Sequence, residues 1–380
     1  MLRYMTAGES HGRELIAIID GVPAGLSMGK DEKAFIDEEL KRRMFGYGRG
    51  GRMAIEDDKA EIVAGVRKGR TIGSPVGIVV KNKDHKIDEL PDVRMPRPGH
   101  ADLAGIRKYG LGDARDVLER ASARKSAATV AAGAVAKLIL RELGIDILSH
   151  VTMIGGVRAN VERLSFEGIR SYADGSKSRL RCADREAEEK MVKAIDDAKD
   201  KGDTLGGEFE VIARGVPPGL GTYVQWDRRL DGALARAVMS IPAVKAVSVG
   251  DGVENASRSG SEVHDPIEYD KGTEEFTRSS NRAGGIEGGV SNGEDIIVRG
   301  FMKPIATLLS PLPSVDIDTK EAGEAATERS DVTAVPACGV VAEAAVAIEI
   351  VSALLDKFGA DSMRDIKCSY ECYRKRLKEI

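Results

Sequence analysis

The chain has 380 residues, of which 42% are hydrophobic and 31% charged, and its formal net charge is -4. This composition is typical of a globular protein with a large core, and it gives no general reason to bind nucleic acid or an anionic membrane. The N-terminus lacks the apolar stretch of a signal peptide, and no apolar run reaches membrane-spanning length. We therefore expect a cytoplasmic protein without nucleic-acid or membrane partners. The four cysteines form no Cys-x-x-Cys pair, so no metal site is expected.

The predicted elements alternate irregularly along the chain. Apolar runs separated by glycine and proline, several rich in β-branched residues, predict strands at residues 15–19, 61–64, 76–80, 146–154, 208–212 and 295–302. Other segments predict helices at residues 31–44, 121–143, 185–200, 337–358 and 361–378. The second and fourth of these helices are rich in small and apolar residues and are expected to be buried on most sides. No low-complexity linker divides the chain, so we expect one domain over residues 1–380.

Two histidines lie in glycine-rich segments close to arginines. His11 is part of Gly-Glu-Ser-His-Gly (residues 8–12), and His100 is part of Arg-Pro-Gly-His-Ala-Asp (residues 97–102). Glycine lets the backbone approach a ligand, histidine exchanges a proton near neutral pH, and arginine binds phosphate and carboxylate oxygens. The combination predicts a pocket for an anionic substrate that undergoes proton transfer. Each histidine taken alone is also compatible with a structural or exposed position, and Asp102 could orient the imidazole of His100.

An arginine- and glycine-rich segment at residues 42–52 overlaps the end of the first predicted helix and contains Arg43, Arg49 and Arg52. A single Arg-Gly-Gly-Arg sequence resembles the flexible segments of RNA-binding proteins, but those segments are repeated in low-complexity sequence. A folded anion site fits this position better, and a solvated charged surface is the remaining alternative. Residues 115–124 place further charges at the start of a buried helix, where charges need partners and backbone N–H groups suit an anion.

Three further segments place polar groups at the ends of apolar elements. The glycine-dense block at residues 281–293 superficially resembles a dinucleotide-binding motif, but a predicted strand follows it instead of a helix. A backbone platform against a flat cofactor is the better interpretation. Lys303-Pro304-Ile305-Ala306-Thr307 follows that strand, and Arg329-Ser330-Asp331 precedes the last buried helix.

These motifs, in this order, resemble those of the chorismate synthase family. The resemblance rests on the two histidine motifs, Glu-Arg-Ala-Ser-Ala-Arg at residues 119–124, the glycine-dense block, Lys303-Pro304 and Arg329-Ser330-Asp331. It implies an α+β fold, a β-α-β sandwich of two antiparallel sheets with helices outside, usually assembled as a homotetramer. It also implies the anti-1,4-elimination of phosphate from 5-enolpyruvylshikimate 3-phosphate to give chorismate, with reduced FMN as the required cofactor.

The resemblance also implies roles for individual residues. It assigns catalysis to His11, His100 and Asp331, and binding of the substrate anions to Arg43, Arg49, Arg52 and Arg97. The flavin contacts that it implies are Arg120, Ala121, Ser122, Pro242, Ala243, Gly288, Lys303, Pro304, Ile305, Ala306, Thr307 and Arg329. One departure is Lys125-Ser126, where the family usually has Glu-Thr, because this change reverses a charge beside the flavin segment.

In the mechanism that we assign on this basis, His11 protonates the departing phosphate, His100 stabilises charge at the flavin N1 and C2 carbonyl, and Asp331 relays the flavin N5 proton. The reductant is either NADPH used by the enzyme itself or an external flavin reductase. Two alternatives come from other classes. The aromatic content of 4% argues against an RNA-binding protein, and the lack of a P-loop pattern weakens the case for a phosphoryl transferase.

Overall fold

The computed structural model describes residues 1–161, 164–328 and 330–379, which form two larger antiparallel sheets and several short hairpins. The strands are β1 Arg3–Ala7, β2 Glu14–Asp20, β3 Ala60–Ala64, β4 Val66–Arg67, β5 Arg70–Thr71, β6 Val76–Lys81, β7 Asp146–Ile154, β8 Val157–Arg158, β9 Gly207–Arg214, β10 Val244–Val249, β11 Ile267–Asp270, β12 Glu275–Arg278, β13 Ile286–Glu287, β14 Val290–Ser291, β15 Ile296–Met302, β16 Pro313–Val315 and β17 Ala322–Glu324. The first sheet has the order β1-β2-β6-β3, and the second has the order β10-β15-β9-β7-β8. All six predicted strands belong to these two sheets.

The helices of the described residues are α1 Lys30–Met44, α2 Arg52–Ile55, α3 Asp102–Tyr109, α4 Ala114–Ala121, α5 Ser126–Arg141, α6 Phe166–Ala173, α7 Arg185–Asp200, α8 Leu230–Met239, α9 Gly260–Val263, α10 Val335–Phe358 and α11 Met363–Leu377. The helix predicted at residues 121–143 is interrupted at its start. Ser122 has an extended backbone, and its side chain accepts a hydrogen bond from the Arg124 N–H. Because serine offers the backbone this local alternative to a helical bond, α4 ends before Ser122 and α5 begins after a short 3₁₀ turn.

The two most apolar helices lie between the sheets, so the expectation that the helices lie outside is wrong for them. α5 packs on β2 and β6, α10 packs on β7 and β9, and the two helices pack on each other. Most residues of both helices are buried, because each helix is covered by a sheet on one side and by its neighbour on the other. By length and composition α10 could cross a membrane, contrary to the expectation from the sequence, but 83% of its most apolar window is buried.

The two central helices are in close contact at Gly133 of α5. An added Cβ would lie 2.2 Å from the Ala344 Cβ and 2.4 Å from the Ala344 Cα. We expect Gly133→Ala to lower the free energy of unfolding by about 1–3 kcal/mol, because α5 and α10 must separate. The control is Gly232→Ala in α8, where the nearest atom lies 3.9 Å away. Urea denaturation measures the free energy of unfolding of both variants. If the Gly133 variant were as stable as the control variant, the close contact would be contradicted.

A buried ionic network ties the end of α1 to the central helices. The Arg42 guanidinium donates to Glu343 of α10 at 2.7 and 2.8 Å and to Glu39 at 2.6 Å, and Lys137 of α5 pairs with both carboxylates. Burial raises the pKa of Glu343, but the charges of Arg42 and Lys137 outweigh burial and hold this pKa well below its usual range. The network therefore fixes the last turn of α1, in which Arg43 also lies.

Candidate active site

His11 lies in the loop between β1 and β2, where a buried carboxylate holds it. Glu119 of α4 accepts a hydrogen bond from the His11 backbone N–H at 2.7 Å, and its other carboxylate oxygen lies 2.8 Å from His11 Nδ1. Across the ring, His11 Nε2 lies 3.3 Å from Arg52 Nη1 and 3.9 Å from an Asp84 oxygen. Burial raises the pKa of Glu119, but the hydrogen bonds from His11 hold it below its usual value. The ring is therefore oriented by an anion and faces a cation.

The loop that carries this histidine is held by side chains from three other segments. Arg52 donates to the Ser10 hydroxyl at 2.7 Å and also to the Ser10 carbonyl. Ser122 donates to the same hydroxyl at 3.1 Å. The side-chain amide of Asn82 donates to the carbonyl oxygens of Ser10 and Gly12 at 3.3 and 2.7 Å. The position of the imidazole is therefore fixed by tertiary contacts as well as by its own loop.

The buried carboxylate of Asp58 joins two arginines close to this loop. Arg43 donates to one Asp58 oxygen at 2.9 Å, and Arg124 Nη1 donates to the same oxygen at 2.8 Å. Arg124 Nη2 forms an ion pair with the other Asp58 oxygen at 2.7 Å. Burial lowers the pKa of Arg43 to about 10, and the charge of Asp58 opposes that shift. Arg43 also donates to the Ser126 hydroxyl at 3.3 Å, so one residue of the unusual Lys-Ser pair belongs to this cluster. Among the described residues, Lys125 has no ion pair, and burial lowers its pKa.

The arginine-rich segment also meets Asp331. Arg49 forms an ion pair with this carboxylate at 2.9 Å, and the Gly50 N–H donates to its other oxygen at 2.6 Å. An added Cβ at Gly50 would lie 2.9 Å from the Ser330 carbonyl oxygen, so this approach of two backbones requires glycine. The structure therefore brings Arg43, Arg49, Arg52 and Asp331 into the region around His11.

A second cluster contains His100, close to the start of α3. Arg97 donates through Nε to Asp102 at 2.8 Å and through Nη1 to the Thr307 hydroxyl at 2.7 Å. His100 Nδ1 contacts the other Asp102 oxygen, and Arg97 Nη2 lies 3.0 Å from the same nitrogen. Burial raises the pKa of Asp102, but hydrogen bonds from His100 and Arg97 outweigh it and hold the pKa well below its usual range. As at His11, a buried carboxylate orients the imidazole.

The flavin contacts implied by the resemblance fall in three separate places. The first group, Arg120, Ala121 and Ser122, adjoins the His11 loop, because Arg120 donates to the Thr6 and Gly8 carbonyls at 2.7 and 2.9 Å. The second group adjoins the His100 cluster. In this group the Lys303 backbone N–H donates to the Ala243 carbonyl at 2.9 Å, and the Lys303 ammonium donates to the Gly99 carbonyl at 2.5 Å. This group comprises Pro242, Ala243, Lys303, Pro304, Ile305, Ala306 and Thr307.

Gly288 lies apart from both clusters. It forms the turn between β13 and β14 with Gly289, and the φ angles of +59° and +89° are those that such a two-residue turn requires. Gly288 precedes β15 and Lys303 follows it, and a strand of seven residues spans about 20 Å. The structure therefore places Gly288 near the opposite end of β15 from Lys303. Arg329, the remaining predicted flavin contact, lies outside the described residues.

Helix α4 connects the two histidine clusters. Its C-terminal part holds the His11 loop through Glu119. Its N-terminal part holds the segment before Arg97, because Asp113 accepts from the Val93 N–H at 2.7 Å and Arg115 donates to the Pro91 carbonyl at 3.0 Å. Among the described residues, no hydrogen bond or ion pair joins His11 directly to His100. Helix α4 therefore contributes to the relative position of the two histidines.

Several residues of the site were not predicted from the sequence, namely Asp58, Asn82, Asp84 and Glu119. Their partners lie far along the chain, and a single carboxylate or amide gives no signal of burial in the sequence. The one available indication was the charged segment at residues 115–124, whose position before a buried helix implied buried partners. Glu119 belongs to that segment.

Two carboxylate-bound histidines with arginines close by are typical of a class of protein, the enzymes that act on anionic substrates. Comparisons with known proteins agree. The family model described as chorismate synthase matches residues 2–355. The chorismate synthases of Koribacter versatilis and Solibacter usitatus are 53% and 51% identical to this chain, over 100% of both chains in each case. A crystal structure of chorismate synthase superposes with a TM-score of 0.81 at 42% identity, covering 100% of this chain and 99% of the other.

The chain therefore belongs to the chorismate synthase family. Its activity is the chorismate synthase reaction of the shikimate pathway, a lyase reaction in which 5-enolpyruvylshikimate 3-phosphate loses phosphate to give chorismate. The family requires reduced FMN. This membership also decides against the RNA-binding and phosphoryl-transfer alternatives.

Proposed function

We propose that His11 supplies the proton that the departing phosphate needs, and that it does so from Nε2. The observation that carries this proposal is the position of the ring between Glu119 and Arg52, with ring-nitrogen distances of 2.8 and 3.3 Å. The carboxylate orients the ring, and the guanidinium attracts phosphate oxygens to the side on which Nε2 lies. Single-turnover phosphate release by a His11 variant tests this assignment.

Arg52 and Arg49 are the proposed direct contacts of the substrate anions, because their side chains are the most exposed of the four predicted arginines. Their side chains are 19% and 9% exposed, against 4% for Arg43 and 5% for Arg97. Arg43 and Arg97 are bound to buried carboxylates and hold the surrounding residues in place. We therefore expect direct substrate contacts from the first pair and positioning from the second.

Arg49→Lys is expected to weaken substrate binding by roughly 10- to 100-fold, because lysine lacks the planar fork that contacts two oxygens at once. Substrate dissociation constants of the variant and the wild type, measured at two salt concentrations, give the effect. Arg179→Lys, a change at an arginine that lies over the Tyr47 ring outside both clusters, is the control. Equal affinities of the Arg49 variant and the wild type would show that Arg49 does not bind substrate.

The residues beside both clusters fit a flavin. The Asp102 carboxylate contacts Nδ1 of His100. Because the His100 side chain is 21% exposed, its Nε2 is the nitrogen that can contact a ligand. We assign to His100 the N1 and C2 carbonyl side of the isoalloxazine ring and to Asp331 the proton at N5. Residues 120–122 and 303–307, with Pro242 and Ala243, are the proposed cofactor contacts beside the clusters. Gly288 and Arg329 are proposed as further contacts on the resemblance to the family alone. When bound, reduced FMN supplies an electron to the substrate and recovers it, so the reaction has no net redox change.

A homotetramer is the proposed assembly. The outer face of the first sheet exposes apolar side chains that a second copy of the chain would cover, since Met5 is 75%, Val63 56% and Ile18 50% exposed. A monomer mass by light scattering at micromolar concentration would contradict this assembly.

We also propose that residues 1–380 form a single domain, which is supported by a core cluster extending from Leu2 to Tyr370.

The proposed reductant is NADPH or an external flavin reductase, and the proposed location is the cytoplasm. An aerobic assay with NADPH and FMN, compared with an anaerobic assay using chemically reduced FMN, separates the two sources of electrons. Turnover in both assays would assign flavin reduction to the enzyme itself. Turnover only in the anaerobic assay would assign it to a separate reductase.

A further inference from the structure

Both side-chain hydrogen bonds of Glu119 join it to a single residue, His11. One carboxylate oxygen accepts from the His11 backbone N–H at 2.7 Å, and the other lies 2.8 Å from His11 Nδ1. The Glu119 backbone carbonyl also accepts from the Ser10 N–H at 2.9 Å. The Glu119 side chain is only 1% exposed, although its charge would be better hydrated at the surface. Because burial of a charged carboxylate is costly, its contact with the His11 ring indicates a functional role for Glu119.

We propose that Glu119 is a positioning residue that holds the neutral imidazole of His11 in the tautomer with its proton on Nδ1. This inference rests on the proposed role of His11 as the proton donor to phosphate. In the transfer, the Nε2–H bond of the imidazolium breaks and an O–H bond forms on the phosphate. The bonding electron pair stays on Nε2, and Nδ1 keeps its proton toward Glu119.

Contacts on both sides of the ring support this tautomer. An ionised carboxylate can only accept hydrogen bonds, so the nitrogen that faces Glu119 must carry hydrogen. A guanidinium can only donate, so the nitrogen that faces Arg52 at 3.3 Å must offer its lone pair when the ring is neutral. Two other charged groups stand close by. Asp84 lies 3.9 Å from Nε2, and Arg115 lies 3.8 Å from the Glu119 oxygen that faces Nδ1.

Glu119→Gln is expected to reverse the tautomer. The backbone N–H of His11 can only donate, so it selects the carbonyl oxygen of the glutamine amide and turns the amide N–H₂ toward Nδ1. Nδ1 must then accept a hydrogen bond, and the neutral ring carries its proton on Nε2. An imidazolium would place its Nδ1–H against the amide N–H₂, which disfavours the form that donates a proton.

The experiment uses the full-length enzyme labelled with ¹⁵N-histidine. The chain has five histidines, and comparison with His11→Asn assigns the ¹⁵N NMR signals of His11. The wild type should show the Nδ1–H form of neutral His11, and Glu119→Gln should show the Nε2–H form. The variant should also lose roughly 100-fold in kcat, with little change in the dissociation constant of the substrate. Glu210→Gln is the matched control, because Glu210 contacts the buried His150 at 3.1 Å.

The outcomes separate this inference from the proposed function. An Nε2–H form of His11 in the wild type overturns the inference without any variant, so a folding failure of Glu119→Gln cannot leave it untested. An Nδ1–H form that persists in Glu119→Gln also overturns it. A reversed tautomer with unchanged kcat supports the positioning by Glu119 but contradicts proton donation by His11. The control should change only the His150 signals.

Discussion

Replacement of His11 by alanine is expected to lower kcat by about 10²–10⁴-fold, the contribution typical of one positioned proton donor. The imidazole lies between Glu119 and Arg52, and alanine leaves no group there that could protonate the phosphate. Substrate binding should change much less, because the arginine charges remain. Anaerobic single-turnover mixing with reduced FMN, followed by phosphate release and chorismate absorbance, measures the effect.

His264→Ala is the control for this variant. His264 is exposed, follows the short helix α9 and lies outside both clusters, so its removal should leave turnover unchanged. Turnover of the His11 variant close to that of the wild type would remove His11 from proton transfer and leave it a structural role in its loop.

Asp102→Asn is expected to have the largest effect on stability, lowering the free energy of unfolding by about 3–5 kcal/mol. The variant leaves the charge of Arg97, whose side chain is only 5% exposed, without its anion. It also removes the carboxylate that orients His100, so kcat should fall as well. Urea denaturation at one fixed protein concentration measures the loss, because assembly would otherwise alter the apparent stability.

The stability lost in Asp102→Asn is expected to depend on pH. The folded-state pKa of Asp102 lies below the ordinary value of 3.8, so its ionised form contributes fully above that value. The contribution is lost as the pH falls through the folded-state pKa, and the difference between wild type and variant should narrow on acidification. Asp20→Asn, which breaks an exposed pair with Arg3, is the control and should keep nearly wild-type stability. Equal losses in the two variants would contradict a special contribution from the buried pair.

Local patterns predicted the elements but not how they stack. The apolar residues around α5 and α10 indicated burial, which is confirmed, but burial on all sides does not say which elements provide the cover. Which elements cover these helices depends on contacts between residues that are distant in the chain, such as Gly133 and Ala344. The interruption at Ser122 was missed for the opposite reason, because a single side-chain hydrogen bond ends a helix within a continuous pattern.

The candidate site shows the same division. The motifs around His11 and His100 are short, and glycine, histidine and arginine stand out in them, so the sequence pointed to both histidines. The Asp102 carboxylate is two residues from His100 and was considered for that reason. Glu119 is separated from His11 by 108 residues, and only the folded chain brings the two together. Prediction from sequence thus reached both histidines but missed the carboxylate that orients His11.

The most direct measurement is an anaerobic assay of the wild-type enzyme with 5-enolpyruvylshikimate 3-phosphate and chemically reduced FMN. We predict that chorismate and phosphate form in equal amounts and that the flavin remains reduced at the end. Omission of FMN should abolish both products. Phosphate release without chorismate, or no product despite bound reduced FMN and substrate, would contradict the account.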